Sequence, residues 1–227
     1  MGCCCFVDIS NLNLLGTSHI ASESVHELRL AFEDSPDLVC LELDKGRFMS
    51  IQRGDRSRVS IRMIKHIGVV GYLFALVGGF AQKKLASIVG NEPGVEMREA
   101  IKLCAARKMH VYLIDQRMDV TLRKLSREFT WKEKVRLPFD FMRNVFKKRK
   151  IPFDLNKIPE QEIIEELTLE MKNNYPNVYR VLVSDRNVYM ARALAKLLKA
   201  NPDKKILAVV GAGHVKGMTE LLKNKFD

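Results

Sequence analysis

Residues 206–214 read ILAVVGAGH, and this stretch decides the fold. A run of consecutive apolar residues is typical of a strand that is buried on both faces, as in a parallel sheet. The run leads directly into a glycine-rich turn and a histidine, and a short helix is predicted after it. In open α/β sheets such turns lie at the carboxyl ends of the strands, where ligands bind. The pattern therefore predicts a buried strand that carries His214 to a functional edge.

The amino-terminal part of the chain repeats this arrangement. Residues 7–15 predict a first strand, which ends in a Gly-Thr-Ser-His turn that contains His19. After a predicted helix, residues 38–43 (LVCLEL) predict a second buried strand, so the order is that of a βαβ unit. Residues 110–114 (HVYLI) predict a third strand. Strands that alternate with helices indicate a parallel sheet.

We therefore expect an α/β fold with a central, mostly parallel sheet flanked by helices. Residues 1–227 are predicted to form a single domain with a helical insertion at about 55–150. Residues 179–183 (YRVLV) fit either a strand or the start of the next helix. A chain of 227 residues can bury a sizeable core without disulfide bonds.

The amino-acid composition indicates which partners and which cellular setting to expect. Lys and Arg number 38 against 27 Asp and Glu, which gives a net charge of +11 and favours anionic partners. Aromatic residues make up only 7% of the chain, which disfavours a stacking surface for single strands, so no nucleic-acid partner is expected. The five cysteines contain no CxxC pair, so a zinc ribbon is not expected and an intracellular, reducing setting fits best.

Residues 67–80 (IGVVGYLFALVGGF) form the most apolar stretch. It is shorter than the roughly 20 residues that a spanning helix needs, so we expect a helix that is buried or faces a membrane in part. Basic residues are concentrated in the predicted helices at 121–150, where a solvated face and a docking surface for an anionic partner both remain open. These features predict a domain associated with the cytoplasmic membrane through contact with lipid or a membrane protein. A homodimer is a further open alternative.

Three side chains at the predicted strand ends have the chemistry of a metal site. His19 and His214 follow strands, and Glu42 ends the second strand. Two imidazoles and a carboxylate form a common ligand set that leaves positions open for water. The simpler interpretations are histidines that only pack and a Glu42 that only forms a salt bridge. Nearby, Asp44 can cap the next helix, and Arg47 can hold a carboxylate or a developing oxyanion.

Six ordered blocks, spread over nearly the whole chain, resemble the TraB/PrgY family within the wider TraB and Tiki group of metal-dependent peptidases. The resemblance implies an α/β fold like that of erythromycin esterases and ChaN-type haem-binding lipoproteins. The functions associated with the group are pheromone shutdown in conjugating bacteria and cleavage of secreted signalling proteins. The blocks are LLGTSHIASESV, PDLVCLELDKGR, EPGVEMREAI, LIDQRMDVTLRKL, VSDRNVYMARAL and VVGAGHVKGM.

The resemblance also implies further site residues. The blocks point to Glu96 and Asp185, one of which we expect to act as the general base. Arg47 and Arg186 are expected to bind a substrate carboxylate or to stabilise an oxyanion, and Asn187 is expected to contact the substrate. The implied cofactor is a divalent ion, Mn, Co or Zn, held by the two histidines and the glutamate named above. The fourth block adds Asp115, to which no role is assigned.

Two functions follow as hypotheses, and a third interpretation assigns the chain only a structural role. The first is a metal-dependent hydrolase, most simply a peptidase that cleaves or inactivates a short signalling peptide with a metal-activated water. The second is a non-catalytic module that binds a peptide or haem and regulates signalling at the membrane. The third is a structural domain whose motifs only maintain packing.

Overall fold

The computed structural model of the chain describes residues 6–17, 22–54, 60–89, 94–137 and 161–226. The described strands form one five-stranded sheet in the order β1-β2-β5-β3-β4, in which β1 alone is antiparallel to its neighbour. The predicted α/β fold with a mostly parallel sheet is confirmed, while the likeness to erythromycin esterases stays a prediction. The strands are β1 (Phe6–Ile9), β2 (Leu12–Thr17), β3 (Leu38–Leu41), β4 (Val111–Leu113) and β5 (Ile206–Gly211).

Helices connect and cover the strands. A 3-10 turn (Ile61–Met63) precedes α3, and a π turn (Arg180–Ser184) precedes α9. The helices are α1 (Ser22–Glu33), α2 (Lys45–Arg53), α3 (Ile64–Val89), α4 (Val95–Ala106), α5 (Met118–Glu128), α6 (131–137), α7 (Gln161–Asn174), α8 (Pro176–Tyr179), α9 (Asp185–Ala200) and α10 (Ala212–Phe226).

The first predicted strand is two strands in the structure. Residues 7–15, predicted as one run, contain the turn of an antiparallel hairpin between β1 and β2. Ser10 adopts a left-handed φ of 56°, which reverses the chain. The side chain of Asn11 donates to the carbonyl oxygens of Asn201 at 3.0 Å and Lys204 at 2.7 Å. The turn is thus fixed by residues distant in the sequence, which the local apolar pattern does not register.

Of the two interpretations of residues 179–183, the helical one is confirmed, because the π turn continues without a break into α9. The segment 55–150, predicted as a helical insertion, contains β4 and α4, which belong to the sheet and its covering layer. The division of the chain into domains stays a prediction.

Each face of the sheet has its own core, because side chains alternate between the faces along a strand. On one face, α9 and α10 supply Met190, Leu194, Met218 and Leu222, which pack on β2, β3 and β5. On the other face, α1 and α4 pack on the alternate residues of the same strands. That second core includes Leu28, Phe32, Met97, Leu15, Val39, Leu41, Leu207 and Val209. The two cores hold the parallel strands in place between helical layers.

The apolar helix α3 packs beside the sheet domain rather than within either core. Its Val70 and Phe74 join a third cluster built by α5 and α8, with the ring of Phe74 edge-on to Phe129 at 5.4 Å. Gly71 allows the close approach, since a Cβ there would overlap the Leu122 carbonyl of α5. Residues 61–80 are long and apolar enough to cross a membrane by length and composition alone, with mean hydropathy 1.6, and 11% of that stretch is buried. α3 contains the apolar residues 67–80 and is kinked at Gly68, whose φ of 75° is not helical.

Candidate functional site

The carboxyl ends of three parallel strands meet at one edge of the sheet. Glu42 follows β3, and its backbone N–H donates to the Val209 carbonyl of β5 at 3.0 Å. Asp115 follows β4, and its N–H donates to the Leu43 carbonyl at 3.3 Å. The carboxylate Oε2 of Glu42 accepts from the N–H of Gly211, the last residue of β5, at 2.6 Å. This geometry brings the Glu42 carboxylate to the amino terminus of α10 and places Asp115 at the same edge of the sheet.

Arg186, in the first turn of α9, links these strand ends. Its Nε donates to Oδ1 of Asp115 at 3.0 Å, and its Nη2 donates to Oδ2 of Asp115 at 2.7 Å and to Oε1 of Glu42. Its Nη1 contacts the Leu182 carbonyl at 3.2 Å and His214 Nε2 at 3.1 Å. A guanidinium has five N–H donors, so these partners account for all of them.

The carboxylates around Arg186 keep its guanidinium protonated. Its side chain is only 11% exposed, and burial by itself would lower the pKa of the guanidinium. The hydrogen bonds to Asp115 and the negative charge of Glu42 outweigh that effect and raise the pKa above its ordinary value. Arg186 is therefore a permanent cation. Arg186 has two carboxylate partners, Asp115 and Glu42, and loss of either one would remove part of the compensation for its buried charge.

His214 is held in one tautomer. Its Nδ1 lies 2.6 Å from the amide oxygen Oδ1 of Asn187, which can only accept a hydrogen bond, so Nδ1 carries the proton. Its Nε2 faces an N–H of Arg186 and therefore presents a lone pair. The same Nε2 lies 3.4 Å from Oε1 of Glu42. The imidazole is thus a neutral nitrogen donor aimed at the carboxylate and the guanidinium.

Gly217 permits the position of Asn187. A Cβ at residue 217 would overlap the Asn187 side-chain amide, so with a larger residue there the amide would have to leave its present position. A Cβ at Gly213, one turn earlier in α10, would meet no atom within 4 Å. Of these two glycines in the closing motif, Gly217 is the one that supports the hydrogen bond to His214.

The loop after β3 adds a second guanidinium to the cluster. Asp44 caps α2 by accepting from the N–H groups of Gly46 at 2.7 Å and Arg47 at 3.2 Å, which confirms the predicted cap. Arg47 Nε donates to Oδ2 of Asp44 at 2.9 Å, and its Nη2 donates to Asp115 and to the Glu42 carbonyl at 3.3 Å. Its side chain is 33% exposed, so Arg47 is the guanidinium that solvent and a ligand can reach.

The remaining predicted site residues are placed differently. The Asp185 carboxylate lies 2.7 Å from Lys124 Nζ of α5, so this predicted base forms an ion pair between two helices. Glu96 lies in the first turn of α4 and is fully buried. His19 lies outside the described residues. The structure therefore brings together five of the predicted residues: Glu42, Arg47, Arg186, Asn187 and His214.

The predicted metal ligands can be compared with this geometry. In the part of the chain that the structure describes, no group of three or more His, Cys, Asp and Glu side chains is arranged to hold a metal ion. Two of the three predicted ligands nevertheless meet, because the 3.4 Å between His214 Nε2 and Glu42 Oε1 suits donors that each bind an ion at about 2.0–2.2 Å. The hydrogen bond from Nδ1 to Asn187 is the support that a ligating histidine needs. Arg186 contacts both of these atoms, through Nη1 to His214 Nε2 and through Nη2 to Glu42 Oε1, so an ion at this point would have to displace the guanidinium.

No role was predicted for Asp115, which orients both guanidinium groups. The sequence contained evidence for such a role, because Asp115 directly follows a predicted strand and so belongs to the same sheet edge as Glu42.

The two buried cysteines, Cys40 and Cys104, show no sign of a catalytic role. Burial raises the pKa of the Cys40 thiol to about 12 and that of Cys104 to about 11, which makes both poor nucleophiles.

Comparisons with known proteins agree on one family. The family model described as TraB/PrgY/gumN matches residues 8–225. An uncharacterized protein of Methanocaldococcus jannaschii is 30% identical over 96% of this chain and 54% of its own length. TraB domain-containing proteins of human and mouse are 27% and 25% identical over 93% of this chain and 62% of theirs. The chain thus spans a little over half the length of these relatives.

Proposed function

The chain belongs to the TraB/PrgY/gumN family, and from that premise we propose that the cluster around Arg186 is the active site of a metal-dependent hydrolase that cleaves short peptides. The observation that carries the proposal is the 3.4 Å between His214 Nε2 and Glu42 Oε1 at the carboxyl edge of a parallel sheet. A neutral imidazole and a carboxylate, aimed at one point, are the ligands that divalent ions use in hydrolases.

The proposed ion is Mn, Co or Zn, and His214, Glu42 and His19 are the residues that would hold it. When bound, such an ion lowers the pKa of its water to about 7 and polarises a carbonyl group. The protein contributes a fixed donor set, because Asn187 holds the tautomer of His214 and the Gly211 N–H holds the second oxygen of Glu42. Arg186 neutralises the carboxylates while no ion is present.

The partly exposed guanidinium of Arg47 has a separate role in the proposed reaction. Arg47 is oriented by Asp44 and Asp115, yet a third of its side chain is open to solvent. A guanidinium so held can bind the terminal carboxylate of a peptide or the oxyanion that develops during hydrolysis. Of the two carboxylates predicted as general base, Asp185 is bound to Lys124 and Glu96 is fully buried in α4, so the base stays one of these two. The natural substrate that we propose is a short signalling peptide.

A peptide-cleavage assay tests the proposal. The protein, reconstituted with Mn, Co or Zn, is incubated with a mixture of short peptides, and new termini are read by mass spectrometry. Cleavage is expected for the wild type and for Asp119→Asn, which alters partly exposed ion pairs with Arg117 and Arg123. His214→Ala and Glu42→Gln should reduce cleavage to background. Peptide binding without turnover in every metal form would contradict the hydrolase and support the non-catalytic module.

A further inference from the structure

The outward side of α3 is a continuous apolar stripe. Val69, Leu73, Val77 and Phe80 are exposed over 60%, 52%, 66% and 70% of their surface, and Leu76 over 40%. Their spacing of three and four residues places them on one side of a helix. We call these five side chains the outer α3 face. Large apolar patches of this kind mark sites of contact with a partner or a membrane.

The opposite side of α3 is firmly attached to the protein. Ile67 is fully buried, and the Gly71 N–H donates to Ser126 Oγ of α5 at 2.6 Å. The same hydroxyl donates to the Ile67 carbonyl, and Phe74 packs against Phe129. α3 is thus bound along one side to α5, and its other side is apolar and exposed. A helix that crossed a membrane would have to give up these contacts.

Basic residues flank the stripe on both sides in the sequence. No charged residue occurs from 67 to 80, whereas Arg62 and Lys65 precede this segment and Lys83 and Lys84 follow it in the sequence. Beside the start of α3, the Nε of Arg123 donates to the His66 carbonyl at 2.7 Å, so α5 adds another guanidinium there. An apolar stripe between basic residues is complementary to the surface of a bilayer that contains anionic lipids.

An aromatic side chain strengthens the same interpretation. Trp131, at the start of α6, is 76% exposed, and Val135 of the same helix is 56% exposed. α6 follows α5 directly after Phe129, whose ring packs on α3. Trp is the side chain that is most characteristic of the membrane–water interface.

We propose that the outer α3 face docks on the surface of an anionic bilayer, with α3 in the plane of the membrane and its inner side still packed on α5. A second copy of the chain is a poorer occupant, because both ends of the stripe are basic and a face-to-face pair would oppose like charges. The docking surface is independent of the proposed metal site, which lies at the sheet edge.

Vesicle sedimentation tests this surface. The full chain is mixed with vesicles of phosphatidylcholine alone or of phosphatidylcholine with phosphatidylglycerol. The wild type should bind the mixed vesicles at least about tenfold more tightly than the neutral ones, and added salt should weaken that binding. Val77→Glu combined with Phe80→Glu should lower the affinity by at least about tenfold. Leu169→Glu, at a residue of α7 that is 57% exposed, is the matched control and should bind like the wild type.

A milder double variant, Val77→Ser with Phe80→Ser, keeps the test valid if the glutamates disturb the fold, and circular dichroism checks each protein. Unchanged binding of a folded double variant would overturn the proposal. Retention on vesicles after alkaline carbonate extraction would overturn it too, because that result indicates a spanning helix. A wild type that binds neither vesicle but forms a dimer that Val77→Ser with Phe80→Ser abolishes would assign the face to a second copy instead.

Discussion

Arg186 and Asp115 are joined by two parallel hydrogen bonds, from Nε to Oδ1 at 3.0 Å and from Nη2 to Oδ2 at 2.7 Å. This bidentate geometry is stronger and more directional than a single charged contact. The Asp115 side chain is fully buried, and its Oδ2 also accepts from Arg47. One carboxylate at the end of β4 therefore positions both cations of the site.

Asp115→Asn should destabilise the protein by about 3–5 kcal/mol, because it leaves two guanidinium groups without their shared buried carboxylate. Chemical denaturation of the wild type and the variant measures this difference. Asp119→Asn is the control: its ion pairs with Arg117 and Arg123 are partly exposed, and each should contribute no more than about 1 kcal/mol. Equal unfolding midpoints for the two variants would contradict the structural role of Asp115.

Gly217→Ala should displace Asn187 and disturb His214, whereas Gly213→Ala should not. The added methyl group at residue 217 overlaps the Asn187 amide, and such overpacking costs about 1–3 kcal/mol. At Gly213 the space is open, and alanine is favoured over glycine in a helix by up to about 1 kcal/mol. Thermal denaturation of both variants measures the contrast. A Gly217→Ala protein as stable as Gly213→Ala would mean that the helices are not in close contact at Asn187.

Asn187→Ala should release the tautomer of His214 while the fold persists. In the wild type, nitrogen NMR of the imidazole should show the proton on Nδ1, because Asn187 Oδ1 accepts it at 2.6 Å. The variant should show a mixture of tautomers and an affinity for divalent metal about 10–100-fold lower. A wild-type His214 that carries its proton on Nε2 would rule out this assignment.

The Glu133 carboxylate stabilises the folded protein to an extent that depends on pH. Its carboxylate accepts from the N–H of Thr130 at 3.0 Å, from the Thr130 hydroxyl at 2.9 Å and from the Asn177 N–H at 2.9 Å. Burial opposes ionisation, but these hydrogen bonds prevail and lower the pKa of Glu133 below its ordinary value. Because the folded pKa is below the unfolded one, the stabilisation is present above the unfolded pKa and is lost as pH falls through the folded pKa.

Glu133→Gln should therefore reduce the free energy of unfolding by about 1–3 kcal/mol at pH 7, and the difference should shrink in acid. Urea denaturation of both proteins, at pH 7 and at successively lower pH, measures this difference in the free energy of unfolding. A difference that grows as the pH falls would show that the sign is wrong.

The buried thiols should resist alkylation in the folded protein. With the pKa of Cys40 raised to about 12 and that of Cys104 to about 11, both remain protonated at pH 8. Peptide mapping after brief treatment with iodoacetamide should find these two residues unlabelled, and labelled once urea has unfolded the chain. Equal labelling in both states would show that the thiols are not buried.

The sequence predicts the sheet edge because parallel strands end together, so His214 and Glu42 could be placed at one site from their positions after apolar runs. The ion pair between Asp185 and Lys124 could not be predicted, because it depends on how α5 packs beside α9. The split of residues 7–15 into a hairpin depends on Asn11, which binds a loop about 190 residues away. Local patterns identify elements, whereas contacts between distant elements decide which partner each polar side chain takes.

Metal content is the most direct measure of the proposed site. The wild type, His214→Ala, the double variant His19→Ala with His214→Ala, and the Asp119→Asn control are each incubated with Mn, Co or Zn, desalted and analysed by elemental analysis. We predict close to one ion per chain in the wild type and the control, and none in the two histidine variants, all of them folded. A folded wild type without metal, or equal metal in His214→Ala, would contradict a metal site built on His214 and Glu42.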